Sequence, residues 1–225
     1  MIRGQKISVV IPCYNEEDGV RHVIEGMPPC VDEIVVVDNN STDRTGEVAR
    51  SLGARVVFEG RPGYGAAYKA GLPAATGDVI CTLDGDGSYP ADAIQPLVER
   101  LLDGGLDFIS GCRFPLANPR AMPFTNQLGN NVLTLAMFLL FGKPVRDSQS
   151  GMWIFRRAIL KELRLTSDGM PLSEEIKIEA LMRRLKFEEV HIHYLERIGD
   201  VKLRKWRDGW ENLVFLARKR FGGGA

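Results

Sequence analysis

Between residues 7 and 112 the chain alternates between two hydrophobic periods, and this limits the possible folds more than any other feature. ISVVIP (7–12), EIVVVD (33–38), RVVFE (55–59), DVICTLD (78–84) and DFISGC (107–112) are short, nearly continuous apolar runs. Between them lie stretches of helical character at 16–27, 41–52, 64–74 and 90–102. Val/Ile runs without polar alternation read as strands buried on both faces. Strands separated by helices predict an α/β domain: a mostly parallel central sheet flanked by helices. Ligands of such sheets lie beyond the carboxyl ends of the strands. The clusters Asn15-Glu16, Asp38-Asn39-Asn40-Ser41 and Asp84-Gly85-Asp86 all follow strands, so they should converge on one edge. The polar run Asn15 to Asp18 is placed to cap and charge the first helix.

The second half is less regular. Residues 113–122 read as a loop, 126–141 as an apolar helix and 151–155 as a strand. Residues 173–185 read as a helix with Ser173 as N-cap and Glu174-Glu175 in its first turn. A strand is expected at 187–196 and an amphipathic helix at 206–221, with Gly222 to Gly224 as a frayed end. No repeat or long linker divides the chain, so one domain over 1–225 is expected.

Composition removes several classes. With 44% hydrophobic and 26% charged residues, the chain is neither disordered nor a polytopic membrane protein. Its 29 basic and 29 acidic residues give no global signature for nucleic acid. The longest uncharged apolar run, VLTLAMFLLF (132–141), is about half of what a bilayer-spanning helix needs. The N-terminus MIRGQK leads straight into a strand, without a signal-peptide core. Cys13, Cys30, Cys81 and Cys112 form no C-x-x-C and no His cluster accompanies them. They read as thiols in a reducing compartment rather than a zinc site. A cytoplasmic protein is expected.

Asp84-Gly85-Asp86 is the sharpest chemical signal. It follows the run VICTL. Residues i and i+2 of an extended chain point the same way, about 6–7 Å apart. Two carboxylates on one side suit a hard divalent cation, Mg2+ or Mn2+, which fills its other positions with phosphate oxygens and water. Ser88 can add a hydroxyl. The same residues also make an ordinary acidic turn. A calcium EF-hand fails, because its twelfth position is Gln95 rather than Glu. A phosphatase with an Asp84 nucleophile is the rival chemistry at this motif. The first turn lacks G-x-G-x-x-G, which excludes the dinucleotide-binding version of the fold. Gly63-Tyr64-Gly65 is readable either as a phosphate cradle or as a plain turn.

IPCYNEE, VVDNNSTDRT, GYGAAYKAGL and TGDVICTLDGDGSYP together resemble family-two glycosyltransferases with the A-type nucleotide-sugar fold. GCRF (111–114), DSQSGMWIFRR (147–157) and ERIGDVKLRKW (196–206) narrow the resemblance to dolichyl- and polyprenyl-phosphate sugar synthases. The resemblance implies a nucleotide-sugar half at 1–112 and an acceptor half at 113–225. It implies that Pro12, Tyr14 and Glu16 hold the nucleoside, and that Val37, Asp38 and Asn39 line base and ribose. This chain has Asp38-Asn39 where family members usually have two acidic residues. The resemblance further implies that Asp84 and Asp86 hold a metal bridging the diphosphate, with Gly85 packed close. Arg113, Arg197 and Lys202 become cationic partners for phosphate. A lipid phosphate is already anionic and needs no strong base, whereas a hydroxyl acceptor needs one. Asp147 is the first candidate for a base or acceptor-positioning residue. Glu174 and Glu175 come second, with a purely structural role at the helix N-terminus as the alternative.

The C-terminal stretch bears on the acceptor. Residues 197–220 hold eight basic residues against three acidic ones, interleaved with Trp206, Trp210, Leu213, Leu216 and Phe221. Such a stretch suits an anionic membrane surface, or is a core helix with a solvated basic face. The expected activity is therefore transfer, with inversion, of a hexose or N-acetylhexosamine from a UDP- or GDP-sugar to a polyprenyl phosphate. Membrane contact would be peripheral, at the cytoplasmic face, or through a membrane partner protein. A small soluble acceptor such as glycerate or phosphoglycerate, and an inactive nucleotide-sugar-binding module, are the alternatives.

Overall fold

The computed structural model describes residues 1–200, 202 and 205–222. Gly223 and Gly224 of the expected frayed end lie outside the described residues, as do Arg204 and the side chain of Lys205 from the basic stretch. The first half alternates as expected: β1 (Ile7–Cys13), α1 (Glu17–Glu25), β2 (Glu33–Asp38), α2 (Thr45–Ser51), β3 (Arg55–Phe58), α3 (Tyr64–Ala74), β4 (Val79–Thr82), α4 (Ile94–Asp103) and β5 (Phe108–Cys112). The second half adds α5 (Phe124–Phe141), β6 (Trp153–Arg156), α6 (Leu172–Met182), β7 (Phe187–His191) and α7 (Lys205–Phe221). The seven strands form one sheet in the order β3-β2-β1-β4-β6-β5-β7. All pairings are parallel except those of β6, which runs antiparallel between β4 and β5.

Both faces of the sheet are covered, which is why its strands read as unbroken apolar runs. Val9 and Ile11 of β1 pack with Val20, Val48 and Val98 of α1, α2 and α4. Val10, Val35, Val37 and Ile80 face the other way, against Leu72 of α3 and Ile176 of α6. Helix α3 lies directly on the strands at Gly71, where a Cβ would fall 2.5 Å from Val37 and 2.7 Å from Val10. Phe155, Phe108 and Phe187 stack across β6, β5 and β7 with centroids 5.5 and 5.4 Å apart. A smaller cluster of Met137, Ile178 and Leu216 joins α5, α6 and α7.

Three elements differ from expectation for local reasons. Helix α2 starts at Thr45 rather than residue 41, because side chains hold the preceding loop. Asp38 accepts from the Ser41 amide at 2.9 Å, and Asp43 accepts from the Thr45 amide at 2.9 Å. Helix α6 starts at Leu172, so Ser173 is not its N-cap; the Ser173 hydroxyl donates to the Met170 carbonyl at 2.8 Å. The last strand stops at His191 instead of 196. Beyond it the chain leaves the sheet and straps across the loop after β4. There the Leu195 amide donates to the Ser88 carbonyl (2.9 Å) and the Ile198 amide to the Asp86 carbonyl (2.7 Å).

Candidate active site

The loops after β1, β2 and β4 meet at one edge of the sheet. The Glu16 amide donates to the Thr45 hydroxyl at 2.8 Å, and Asn15 accepts from the Thr42 amide at 2.7 Å. The Asp84-Gly85-Asp86 turn sits beside this junction. Gly85 is required there, since a Cβ would collide with the Cys13 sulfur. Asp86 is buried, and its Oδ1 accepts from the Ser88 amide (2.9 Å) and hydroxyl (2.6 Å). Ser88 thus braces Asp86 from behind, and its hydroxyl is spent on that carboxylate. Asp84 accepts a long hydrogen bond from the Tyr64 hydroxyl at 3.4 Å. Burial and the neighbouring Asp86 carboxylate push Asp84 up to about 7, against the pull of Arg113 and Arg197. Of the residues at this edge, these two carboxylates are the ones that could hold a hard cation.

The C-terminal strap brings cations to the same place. Arg197 bridges Asp86 and Glu16, 3.2 Å from each, and Lys202 lies 2.8 Å from Glu16. Glu16 therefore does not cap α1; its side chain makes no hydrogen bond to the helix. Burial raises its pKa while Lys202 and Arg197 draw it down. These residues line a cavity of about 330 Å³ with Pro12, Tyr14, Asn39, Tyr64 and Gly85. A second cavity, about 260 Å³, shares Tyr64, Asp84, Asp86, Met170, Arg197 and Asp208 with the first. It continues past Arg113, Asn126, Asn130, Leu133, Gln149 and Asn212. The two spaces meet at the aspartates.

Arg113 is the charged residue that the second cavity does not share with the first. Its Nε and Nη2 donate to the two oxygens of Asp147, each at 2.8 Å, and its amide donates to the same carboxylate at 3.0 Å. The guanidinium also lies 5.2 Å from the Tyr194 ring centroid. Asp147 is fully buried. Burial alone would raise its pKa, yet the Arg113 pair outweighs that and holds it below the usual carboxylate range. Lys177, equally buried, donates to the carbonyls of Asp147, Ser148 and Ser150 at 2.8–2.9 Å and so fixes the loop.

Several site residues expected from the sequence are placed otherwise. Asp147 is no base candidate, because a carboxylate held ionised by a bidentate partner has little appetite for a proton. It positions Arg113. Glu175 is also committed: it accepts from the amides of Thr166 and Ser167 and the Thr166 hydroxyl, and pairs with Lys219 at 2.9 Å. It pins α7 and the loop before α6. Val37 is core, under α3. Asp38 holds the turn before α2 and does not line the cavity. Asn39 lines the cavity, but its carboxamide is occupied by the carbonyls of Glu59 and Arg61 and the amide of Gly63. Tyr64, Asn130, Lys177 and Asn212 went unpredicted. Asn130 carried no distinguishing mark, since it lies in the polar run NQLGNN (126–131) of α5.

Comparison with known proteins identifies the family. Residues 8–164 match Glycosyl transferase family 2. The chain is 35% identical over 206 residues to a dolichyl-phosphate hexose transferase of Haloferax volcanii, covering 90% of this chain and 89% of that protein. It is 33% identical over 217 residues to the low-salt glycan biosynthesis hexosyltransferase Agl6 of the same organism, covering 93% of this chain and 52% of that protein. The chain thus spans about half the length of Agl6. Among solved structures, glucosyl-3-phosphoglycerate synthase of Mycobacterium tuberculosis with Mn2+, UDP-glucose and phosphoglyceric acid has a TM-score of 0.77 at 25% identity. That match covers 99% of this chain and 81% of the synthase. With residues 8–164 matched by the family model and a 35% identical relative covered over 89% of its length, the chain belongs to glycosyl transferase family 2 and is a glycosyltransferase.

Proposed function

We propose that the protein transfers a hexose or N-acetylhexosamine from a UDP- or GDP-sugar to a polyprenyl phosphate at a membrane surface, with inversion. The observation that carries this reading is the two-sided role of α5. Its inner face gives Asn126, Asn130 and Leu133 to the Arg113 cavity. Its outer face leaves Phe124, Leu128, Leu135, Phe138 and Leu139 exposed. A phosphate in that cavity would leave its isoprenoid tail against an apolar helix. Trp206 and Trp210 of α7 are exposed nearby in the chain's most basic segment, which suits an anionic lipid surface. Among the described residues no helix is long and apolar enough to cross a membrane; the exposed apolar face of α5 and the two tryptophans are read as a surface contact. The Haloferax relative, a dolichyl-phosphate hexose transferase, supports the same acceptor class.

Asp84 and Asp86 fit a divalent cation, Mg2+ or Mn2+. Among the described residues no group of three His, Cys, Asp or Glu side chains is gathered. A pair of carboxylates would hold an ion whose remaining positions are taken by phosphate oxygens and water. A cation held by these two carboxylates would supply neutralisation of charge on the departing nucleoside diphosphate. Pro12, Tyr14, Glu16 and Gly85 border the nucleoside space. Arg197 and Lys202 reach the diphosphate by exchanging their carboxylate partners for phosphate oxygens. In the second cavity Arg113 orients the lipid phosphate. One of its oxygens bonds to the anomeric carbon as the bond from that carbon to the diphosphate breaks. The nucleophile is already ionised, so no base is required, in keeping with the commitment of Asp147 and Glu175 to structural partners.

A second reading keeps the donor and changes the acceptor to phosphoglycerate. It is favoured by the match to glucosyl-3-phosphoglycerate synthase. Labelled UDP-glucose, UDP-N-acetylglucosamine and GDP-mannose, each offered with a short polyprenyl phosphate or with 3-phosphoglycerate, separate the two. The reading predicts label in the organic phase with one donor. Label only on the soluble acid would replace it with the second.

A further inference from the structure

Asn212, on α7, has a buried oxygen with nothing to bind. Its side-chain Nδ2 donates to the Asp208 carbonyl at 2.7 Å, which fixes the orientation of the amide, because a flipped group would set oxygen against oxygen. Oδ1 then has no hydrogen-bond partner, and the residue is only 2% exposed. A buried carbonyl oxygen without a donor is costly, and such atoms are explained by a ligand or water that completes them. Asn212 lines the second cavity, and Asp208, one helical turn earlier, lines both. This wall of α7 therefore passes the point where the two cavities meet.

The polarity of the cavity decides what the oxygen takes. On the far side Arg113 and the unpartnered, buried Nδ2 of Asn130 present only N–H groups. They suit an anion. Asn212 Oδ1 presents the reverse: it repels a phosphate oxygen and accepts from O–H or N–H. Base and ribose belong to the other cavity, and an isoprenoid phosphate dianion carries no donor. The transferred sugar is the part rich in hydroxyls at the junction. We infer that Asn212 is a specificity-determining residue, whose Oδ1 accepts a hydrogen bond from a hydroxyl or acetamido N–H of the sugar being transferred. This rests on the proposed reading of the site and extends it from the class of donor to how its sugar is recognised.

The test is binding, with no acceptor present. Wild-type affinities for UDP-glucose, UDP-N-acetylglucosamine and GDP-mannose, measured calorimetrically with Mg2+, identify the donor. Failure of all three to bind would overturn the functional reading before any variant is made, and the inference with it. Next come monodeoxy analogues of the bound sugar (or its des-acetamido analogue). The expected result is that wild type loses roughly tenfold in affinity for one analogue. N212L should bind the parent sugar as weakly as wild type binds that analogue, and should no longer tell the two apart. It should bind the free nucleoside diphosphate as wild type does. If N212L kept the wild-type pattern across the analogues, the inference would be overturned. Should N212L fail to hold the free diphosphate, Asn212→Ala is read in its place. Loss of diphosphate binding in both would make Asn212 a packing residue and equally overturn the inference.

Discussion

Replacing Asp147 by Asn separates two roles for this carboxylate. Asp147 is fully buried and takes three hydrogen bonds from Arg113, at 2.8, 2.8 and 3.0 Å. Asn keeps one accepting oxygen but removes the charge and turns an amide toward a buried guanidinium. Breaking a buried pair from one side costs about 3–5 kcal/mol. The retained oxygen argues for the lower end, about 3 kcal/mol. In a chain of this size each kcal/mol moves Tm by about 2–4 °C, so D147N should melt roughly 6–12 °C below wild type. The folded pKa of Asp147 is depressed, so its contribution is complete above the unfolded value near 3.9. The gap should therefore be constant from neutral pH down to about 4 and close only as pH falls further. Arg113 loosened in this way should raise KM for the acceptor more than it lowers kcat. Thermal unfolding by circular dichroism and acceptor-dependent kinetics read both. A Tm within about 2 °C of wild type, together with a thousandfold loss of kcat at unchanged KM, would refute the reasoning and restore Asp147 as a base.

Three further outcomes are expected. Burial lowers Lys177 to about 8 from 10.5. Between those values the unfolded chain binds more protons, so wild type gains stability as pH rises. Its urea-unfolding free energy should gain about 2 kcal/mol on K177M between pH 7 and 10; a pH-independent difference would contradict this. A Cβ at Gly151 would fall on the Tyr64 hydroxyl and 3.3 Å from Asp84 Oδ1. G151A should therefore lower transfer at least tenfold by displacing the Asp84 support, with kinetics as the check, and unchanged turnover would count against that support. Cosedimentation with vesicles should show preference for anionic over zwitterionic lipid, weakened by salt and by Leu128, Leu135 and Leu139→Ser together; equal binding by the triple variant would remove α5 from the interface.

The sequence made the sheet edge legible and left the acceptor side obscure, for physical reasons. Strands buried on both faces write themselves as Val/Ile runs, and turns that approach a ligand need Gly and Asp at fixed offsets. So β1 to β5 and Asp84-Gly85-Asp86 were readable. Asp147 and Glu175 looked like candidates for a base or an acceptor-positioning group because residue type does not reveal a partner. Arg113 lies 34 residues before Asp147, and Lys219 lies 44 after Glu175. Lys177 was hidden for the same reason: a lysine within a helix reads as solvated, and only the fold brings three carbonyls around it. The antiparallel insertion of β6 was equally invisible, since a four-residue strand carries no mark of its direction.

Diffraction at the manganese edge from crystals grown with Mn2+ and the preferred nucleoside diphosphate is the most direct test of the account. The expected result is one anomalous peak within coordination distance of Asp84 or Asp86 and of both phosphates, lost in Asp86→Ala. A peak remote from the diphosphate, or a diphosphate bound identically with the ion removed by chelation, would contradict it.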